Sequence, residues 1–363
     1  MLKIFHFINL AMSFKEIKDC LKIGNLDISF YHRPKIIAEI GINHSGSIDV
    51  AKSLADLAAE NGADFIKSQF HMPSEEMSPS AKSVIPPHTK KSIYEIIEDC
   101  SLTPEEEYEL KLHIENLGKE YLCTPFSAKA AHLLGDMKVS SYKIGSGECS
   151  NNAVLNAAAS YQKPMIISTG MNTINSVKKT CNFLEKLIGN DFLLLHTTNL
   201  YPTPYHLVRL GGLCELQTLV GNSRVGLSDH TVSNLACLGA VANGAVILER
   251  HFTDTKDRQG PDIINSMTPI ELKRLRIDAE IMFQMRGGSK EKEIKEEDGI
   301  RDFALATVVA IKDIKKGEKF SFENSWPKRP GIGEIEAREH SKLIGKRSKK
   351  NIKLGSHITK RDF

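Results

Sequence analysis

The sequence predicts an α/β protein, a (β/α)8 barrel followed by a small β-rich domain. Three observations predict it. From residue 36, eight short apolar runs alternate with stretches whose apolar residues recur at helical spacing. Eight such alternations in about 250 residues are the usual content of a (β/α)8 barrel. Residues 287–299 are then charged and bounded by glycines, and the chain beyond them changes to short β-type runs.

The runs are "IIAEIG" (36–41), "FIKSQF" (65–70), "YLCTPF" (121–126), "SYKIGS" (141–146), "MIISTG" (165–170), "FLLLHTT" (192–198), "RVGLSD" (224–229) and "AVILERHF" (245–252). Short runs rich in Ile, Val, Leu and Phe suit strands buried on both faces. Between the first two, Ile48, Ala51, Leu54, Ala55 and Ala58 form one helical stripe, and Gly62 is a natural stop. "TPEE" (103–106) and "TPIE" (268–271) are capping boxes. Their threonines cap, Pro104 and Pro269 suit the first helical position, and Glu106 and Glu271 reach back. The last helix of the barrel is expected to run to about Met285 and stop at "RGG". A doubly wound open sheet is the competing architecture, but no Gly-rich dinucleotide loop follows the first strand. Segment 71–100 is too long for a simple loop and is expected to carry a lid or a partner contact.

The expected organisation is an N-terminal extension and lead-in (1–34), the barrel (35–286), a linker (287–299) and the β-rich domain (300–363). In the last, "FALATVVAI" suits a strand and "KDIKKGEKF" a turn, and "IKKGEKFSFEN" (314–324) is echoed by "IKLGSHITKRDF" (352–363). About 60 residues is marginal for independent stability, so this domain is expected to lean on the barrel or on a second subunit.

Composition narrows the function. The 363 residues are 41% hydrophobic and 26% charged, with 48 basic against 45 acidic side chains and a net charge of +3. That balance argues against a nucleic-acid partner, and any anionic ligand must be held by locally placed cations. Seven scattered cysteines without a CxxC pair read as reduced thiols of a cytoplasmic protein. No apolar run is long enough to cross a bilayer. The start "MLKIFHFINLAM" has only Lys3 as a charged lead and no clear small-x-small cleavage site, which argues against export; a start at Met12 is an equally simple reading.

In such a barrel the C-terminal ends of the strands carry the site. The residues there are Glu39, Asn43 and His44; Lys67 and Gln69; Lys143, Ser146 and Glu148; Ser168 and Thr169; His196, Thr197, Asn199 and Tyr201; Ser228, Asp229 and His230; Glu249 and His251. Neighbouring strands lie about 4.8 Å apart, so His230 and His251 at matching heights can share a metal about 2.1 Å from each. Two nitrogens leave the other positions to water and substrate oxygens, which suits Mn or Mg better than a closed zinc site. The alternative is two hydrogen-bonded core histidines. By period two, Glu249 and His251 share a face while Leu248 and Arg250 take the other, and an outward salt bridge is expected for Arg250.

Lys67 and Lys143 lie within apolar strands, so each must meet a carboxylate or a bound anion. With Ser146, Ser168 and Ser228 they can hold a phosphate. An internal pair with Glu39 or Glu249 and a Schiff-base lysine remain open. Glu39 suits a general acid or base, or a salt bridge to either lysine. "TTNLYPTP" (197–204) stiffens Asn199 and Tyr201 between prolines, for a sugar contact or merely as a rigid loop. Cys149 reads as a buried structural thiol.

The motifs "IIAEIGINHSGS", "YKIGSGE", "MIISTGMN", "HTTNLYPTP", "GLSDHT" and "LERHFTDTKDRQGPDIINSM" closely resemble, in order and spacing, bacterial N-acetylneuraminate (sialic acid) synthases. "KKGE", "WPKRPGIG" and "LIGK" resemble that family's antifreeze-like (β-clip) C-terminal domain. The resemblance implies condensation of phosphoenolpyruvate with the open-chain aldehyde of N-acetylmannosamine, with release of phosphate. The same chemistry on a diacetamido hexose, giving a legionaminic- or pseudaminic-type acid, is the alternative. It implies a divalent ion, manganese first and magnesium or cobalt next, held by His230 and His251 and acting as a Lewis acid on the aldehyde. Lys67, Lys143, Ser146, Ser168 and Ser228 would hold phosphoenolpyruvate, and Glu39 would handle protons or the attacking water. Gln69, Glu148, Asn199, Tyr201 and Asp262 would contact the sugar. Arg329 of "KRPG" would reach its acyl group from the partner in a domain-swapped homodimer. The chain departs from its relatives at Ser68 and Phe70, which flank Gln69, and at Ser150. Ser68 and Phe70 share the face opposite Lys67 and Gln69, so this change is expected to touch barrel–helix packing more than chemistry.

Overall fold

The computed structural model describes residues 20–85 and 90–363. The expected extension before residue 20, with the Met12 start, lies outside the described residues. The chain forms two compact units, and the boundary between them falls between Gly287 and Gly288.

The first unit opens with a hairpin of β1 (Leu21–Ile23) and β2 (Leu26–Ile28). Eight parallel strands follow: β3 (Lys35–Gly41), β4 (Phe65–Phe70), β5 (Glu120–Pro125), β6 (Tyr142–Ile144), β7 (Met165–Ser168), β8 (Phe192–Thr197), β9 (Val225–Asp229) and β10 (Ile247–His251). They pair in the order β5-β4-β3-β10-β9-β8-β7-β6, so the first and last barrel strands, β3 and β10, are hydrogen-bonded neighbours. With β5 and β6 side by side the sheet nearly closes, as the eight apolar runs predict.

The outer layer is built from α1 (Ile48–Glu60), α2 (Pro73–Glu76), α3 (Ile93–Cys100), α4 (Pro104–Asn116), α5 (Ala128–Asp136), α6 (Asn152–Ala159), α7 (Ile174–Ile188), α8 (Gly211–Val220), α9 (Leu235–Ala242) and α10 (Pro269–Met285). Thr103 and Thr268 form the capping boxes that the sequence announces, and Ser92 with Glu95 forms a further one that starts α3. The described residues of segment 71–100 carry α2, a 3-10 turn (Pro79–Ser83) and α3. No helix among the described residues is long and apolar enough to cross a membrane.

Strand alternation sorts the apolar residues into two cores. Ile36, Ala38, Ile66, Leu194 and Leu248 face the helices. Ile37, Phe65, Leu122, Ile166, Leu193, Leu195 and Ile247 fill the lower lumen, and Leu21, Ile23 and Ile28 of the hairpin plug it from below. Each such side chain contributes roughly 1.5–3 kcal/mol by leaving water. The strands pack so closely that a Cβ at Gly226 would lie 2.3 Å from the Ile247 carbonyl oxygen.

In the second unit, α11 (Asp298–Ala304) starts inside the segment expected to be a linker and continues into "FALA". Strand structure begins only with β11 (Thr307–Ala310), which pairs antiparallel with β12 (Ser325–Lys328); α12 (His340–Leu343) follows. The β content is thus two short strands and isolated bridges. The internal echo is structural. Ile314 bridges Ile352, Gly317 and Gly355 share φ values of 86° and 85°, and Phe320 and Ile358 are both buried. Asn324 accepts the Ser321 N–H as Asp362 accepts that of Thr359.

Candidate active site

Above the apolar lumen floor the inward positions turn polar. Register fixes their heights: Glu39 pairs with Lys67 on one side and His251 on the other, and Glu249 pairs with Ser228. Lys67 forms an ion pair with Glu39, lies 3.9 Å from Glu249 Oε2 and donates to Thr124 Oγ1 at 3.3 Å. Lys143 donates to Ser168 Oγ at 2.7 Å and lies 3.6 Å from Glu249 Oε1, which accepts from Ser228 Oγ at 3.0 Å. The internal ion pairs weighed from the sequence are therefore present: Glu39 pairs with Lys67, and Glu249 lies between the two ammonium groups.

All four charged groups are buried. Burial pushes the Lys67 ammonium down to about 8, against the upward pull of Glu249, and lowers Lys143 by the same cause. Burial pushes the Glu249 carboxyl up, but Lys143 and Lys67 outweigh it and hold it down at about 2. Glu249 thus stays charged and keeps the lysines in the lumen.

His230 and His251 come together as their matching register requires, with ring centroids 5.4 Å apart. Burial is the first cause that holds both imidazoles neutral, His230 down to about 4 and His251 down to about 3. His230 Nδ1 lies 2.9 Å from the Thr198 carbonyl, which can only accept; the proton sits on Nδ1 and the Nε2 lone pair is free. His251 Nδ1 is buried without a hydrogen bond, 3.4 Å from Asp262 Oδ2. Burial raises the Asp262 carboxyl to about 6. Neutral imidazoles with a free lone pair and a nearby carboxylate fit a divalent ion. Among the described residues no group of three or more His, Cys, Asp or Glu side chains is placed to hold one, so such an ion would also need oxygens from water or substrate.

The residues assigned to the sugar lie around this centre. Tyr201 stacks on His230 at 4.2 Å between centroids and meets His251 edge-on at 5.8 Å. Asn199 Oδ1 is buried without a hydrogen bond, packed so tightly on Gly170 that a Cβ there would approach it to 1.9 Å. Ser146 Oγ accepts the Gly170 N–H at 3.0 Å. Burial is also the main cause that raises the Glu148 carboxyl, and Glu76 and His71 are among the charges it feels. Arg329 is exposed, one residue beyond β12 in the second unit.

Several rim candidates do not face the lumen. His196 points outward and donates to the Val208 carbonyl at 2.7 Å, because Leu193 and Leu195 take the inward positions of β8. Thr169 donates to the Leu195 carbonyl, and Asn43 donates to Phe252 O and Ser266 Oγ. Ser68 lies on the outer face, donating to Glu107 Oε2 at 3.0 Å, and Phe70 joins the barrel–helix core, as the alternation predicts. Sequence reasoning missed His71. Its Nε2 lies 3.1 Å from Gln69 Oε1, its Nδ1 lies 2.9 Å from Glu76 Oε1, and its ring stacks on Phe126. The available signal was period two carried one step further, from Lys67 through Gln69 to residue 71.

Comparison with known proteins bears on the family and the fold. Residues 54–291 match the NeuB family and residues 306–363 the SAF domain. The chain is 36% identical over 326 residues to the N,N'-diacetyllegionaminic acid synthase of Campylobacter jejuni, covering 88% of this chain and 96% of the relative. It is 31% identical over 347 residues to that organism's pseudaminic acid synthase, covering 94% of this chain and 100% of the relative. Among solved structures, the N-acetylneuraminic acid synthetase of Leptospira borgpetersenii superimposes with a TM-score of 0.71 at 26% identity, over 77% of this chain and 94% of that one. The family match over more than half of the chain and relatives above 30% identity along nearly all of it show that the chain belongs to the NeuB family of condensing synthases.

Proposed function

We propose that the chain condenses phosphoenolpyruvate with the open-chain aldehyde of an N-acetylated amino sugar and water, giving a nine-carbon 2-keto acid and phosphate. The observation that carries this reading is one lumen holding both halves of the chemistry. Lys67 and Lys143 gather with Ser168 and Ser228 around Glu249, and the neutral His230 and His251 meet each other and Tyr201 at the ends of the neighbouring strands.

In this reading Lys67, Lys143, Ser146, Ser168 and Ser228 hold the anionic phosphoenolpyruvate through charge-assisted bonds. His230 and His251 would hold a divalent ion, manganese first, which supplies Lewis-acid polarisation of the aldehyde. The enol carbon bonds to the aldehyde carbon, whose oxygen takes a proton. Water adds to the former enol C2, and phosphate leaves from that carbon. Glu39, paired with Lys67 at the height of His251, is placed to move the proton of the aldehyde or of the water. Gln69, Glu148, Asn199, Tyr201 and Asp262 orient the sugar, and Arg329 reaches its acyl group from the second subunit of a homodimer. The setting is cytoplasmic.

The sugar we favour is a diacetamido hexose, the alternative in the sequence reading. Its support is the similarity to N,N'-diacetyllegionaminic acid synthases of Campylobacter jejuni and, at 34% identity over 89% of this chain, Legionella pneumophila. N-acetylmannosamine is the second reading, supported by the likeness to the Leptospira structure. The test is phosphate release and product mass with phosphoenolpyruvate, Mn2+ and each sugar in turn. Metal-dependent release with one of the two, and a nine-carbon product, is expected. No release with either refutes the proposal, and a borohydride-trapped pyruvate adduct at Lys143 would indicate a Schiff-base aldolase instead.

A further inference from the structure

Arg250 is a charged side chain that the reaction does not use. It stands between Glu249 and His251, and alternation sends it out of the lumen. The outward salt bridge expected for it is present, to Asp229, but it is buried: the side chain is 1% exposed, the largest fully buried one in the described chain. Two separate stretches, 229–234 and the loop at Asn265, meet on its guanidinium. Nη2 donates to the Thr231 carbonyl at 2.7 Å and to the Asn265 carbonyl at 3.3 Å, Nη1 donates to Asn234 Oδ1 at 2.6 Å, and Nε lies 3.4 Å from Asp229 Oδ2. Burying a guanidinium costs several kcal/mol unless its donors are met, and here both terminal nitrogens are hydrogen-bonded while Nε is left with the Asp229 charge alone, so the fork holds its partners in one arrangement.

Those partners flank the metal-facing groups. Asp229 and Thr231 are the two neighbours of His230. They are already tied to each other, since Asp229 accepts from the Thr231 N–H at 2.9 Å and from Thr231 Oγ1 at 3.1 Å. His230 is therefore the apex of a closed turn that Arg250 grips at both ends. Asn265 lies in the loop that carries Asp262; Ser266 Oγ in the same loop donates to the Asp262 carbonyl at 2.6 Å and accepts from Asn43. His251 is the residue next to Arg250 itself. One guanidinium thus links the turn of His230, the strand of His251 and the loop of Asp262, while touching none of their functional atoms.

We propose that Arg250 is a positioning residue: its fork fixes the spacing of His230, His251 and Asp262, and with it the geometry offered to a divalent ion. Lysine keeps the charge but lacks the planar fork, so it can satisfy only part of this set. The proposal rests on the metal-dependent reading above, and the experiment separates the two. Mn2+ affinity of the full-length protein is measured by calorimetry on wild type and R250K, with apo-protein Tm and the KM of phosphoenolpyruvate alongside. Wild type is expected to bind Mn2+, and R250K to bind it at least tenfold more weakly, within the roughly 10–100-fold range of outer-shell partners. The KM of phosphoenolpyruvate is expected to change less than the Mn2+ affinity, since Lys67, Lys143, Ser146 and Ser168 of its set lie on strands and turns that the Arg250 guanidinium does not touch. A folded R250K with wild-type Mn2+ affinity overturns the proposal and leaves Arg250 a packing residue. A wild type that binds no Mn2+ overturns the metal reading and the proposal with it. Should R250K fail to fold, D229N retains the size of the turn and weakens its charged link; severalfold weaker Mn2+ binding is expected, and unchanged binding overturns the proposal.

Discussion

At the scale of single residues the lumen is a balance of buried charges. Lys143 illustrates it: the side chain is buried and is held by Ser168 and Glu249. Its replacement removes a proposed ligand for phosphoenolpyruvate and leaves Glu249 to Ser228 and a more distant Lys67. Lys143→Met is therefore expected to lower stability by about 3 kcal/mol, the usual cost of stranding one partner of a buried pair, read from urea unfolding. The same variant should raise the KM of phosphoenolpyruvate at least tenfold, and a normal KM would remove Lys143 from that site. Most of this set was legible because alternation along a strand is local: Glu39, Lys67, Lys143, Ser168, Ser228 and Glu249 each follow from strand position alone. Arg250 was legible only as an outward residue. Its partners come from two stretches of chain, and no spacing in the sequence brings Asn265 to Thr231.

At the scale of elements, the barrel wall limits what its strands and turns tolerate. Gly170 lies in the turn after β7, against Asn199 of the turn after β8. Gly170→Ala would drive a Cβ into Asn199 Oδ1 and push that side chain from its position. The same Cβ would come to 2.8 Å from Ser146 Oγ, so a raised KM is expected for the sugar and for phosphoenolpyruvate alike; an unchanged sugar KM would argue against a sugar contact at Asn199. Behind β4 and β5, Glu107 of α4 is buried and accepts from Tyr121 and from Ser68. Burial raises its carboxyl from 4.5 to about 7. Between those two values the native state therefore holds a proton that the unfolded chain has lost. The resulting stabilisation is complete below about pH 4.5 and is lost as pH rises through about 7. It is on the order of 3 kcal/mol, at roughly 1.4 kcal/mol per pH unit. Glu107→Gln cannot titrate, so the stability difference between wild type and this variant should change steadily, to the disadvantage of wild type, as pH rises across that window. A difference that is flat with pH would show that Glu107 does not bind a proton on folding. Ser68, bonded to Glu107, and Phe70, in the barrel–helix core, both stay out of the lumen.

At the scale of the whole molecule, the barrel supplies the lumen, and the second unit brings its own small core of Val308, Ile314, Phe320, Ile335, Ile352 and Ile358. If that unit serves the site in a homodimer, Arg329→Ala should raise the sugar KM with Mn2+ affinity unchanged. A sugar KM equal to wild type would separate the SAF domain from catalysis. The sequence by itself determined the strand–helix alternation, the capping boxes, the polar upper lumen and the echo around Gly317 and Gly355. These depend on periods of two and 3.6 residues and on residue chemistry, which act over a few positions. Only the tertiary structure decided that α11 begins within the expected linker, that His196 leaves the lumen, that His71 and Glu76 support Gln69, and that Arg250 joins the surroundings of His230, His251 and Asp262. Each of these is set by contacts made once the strands and loops have been brought together, where the need to satisfy buried donors and acceptors selects partners that sequence distance conceals.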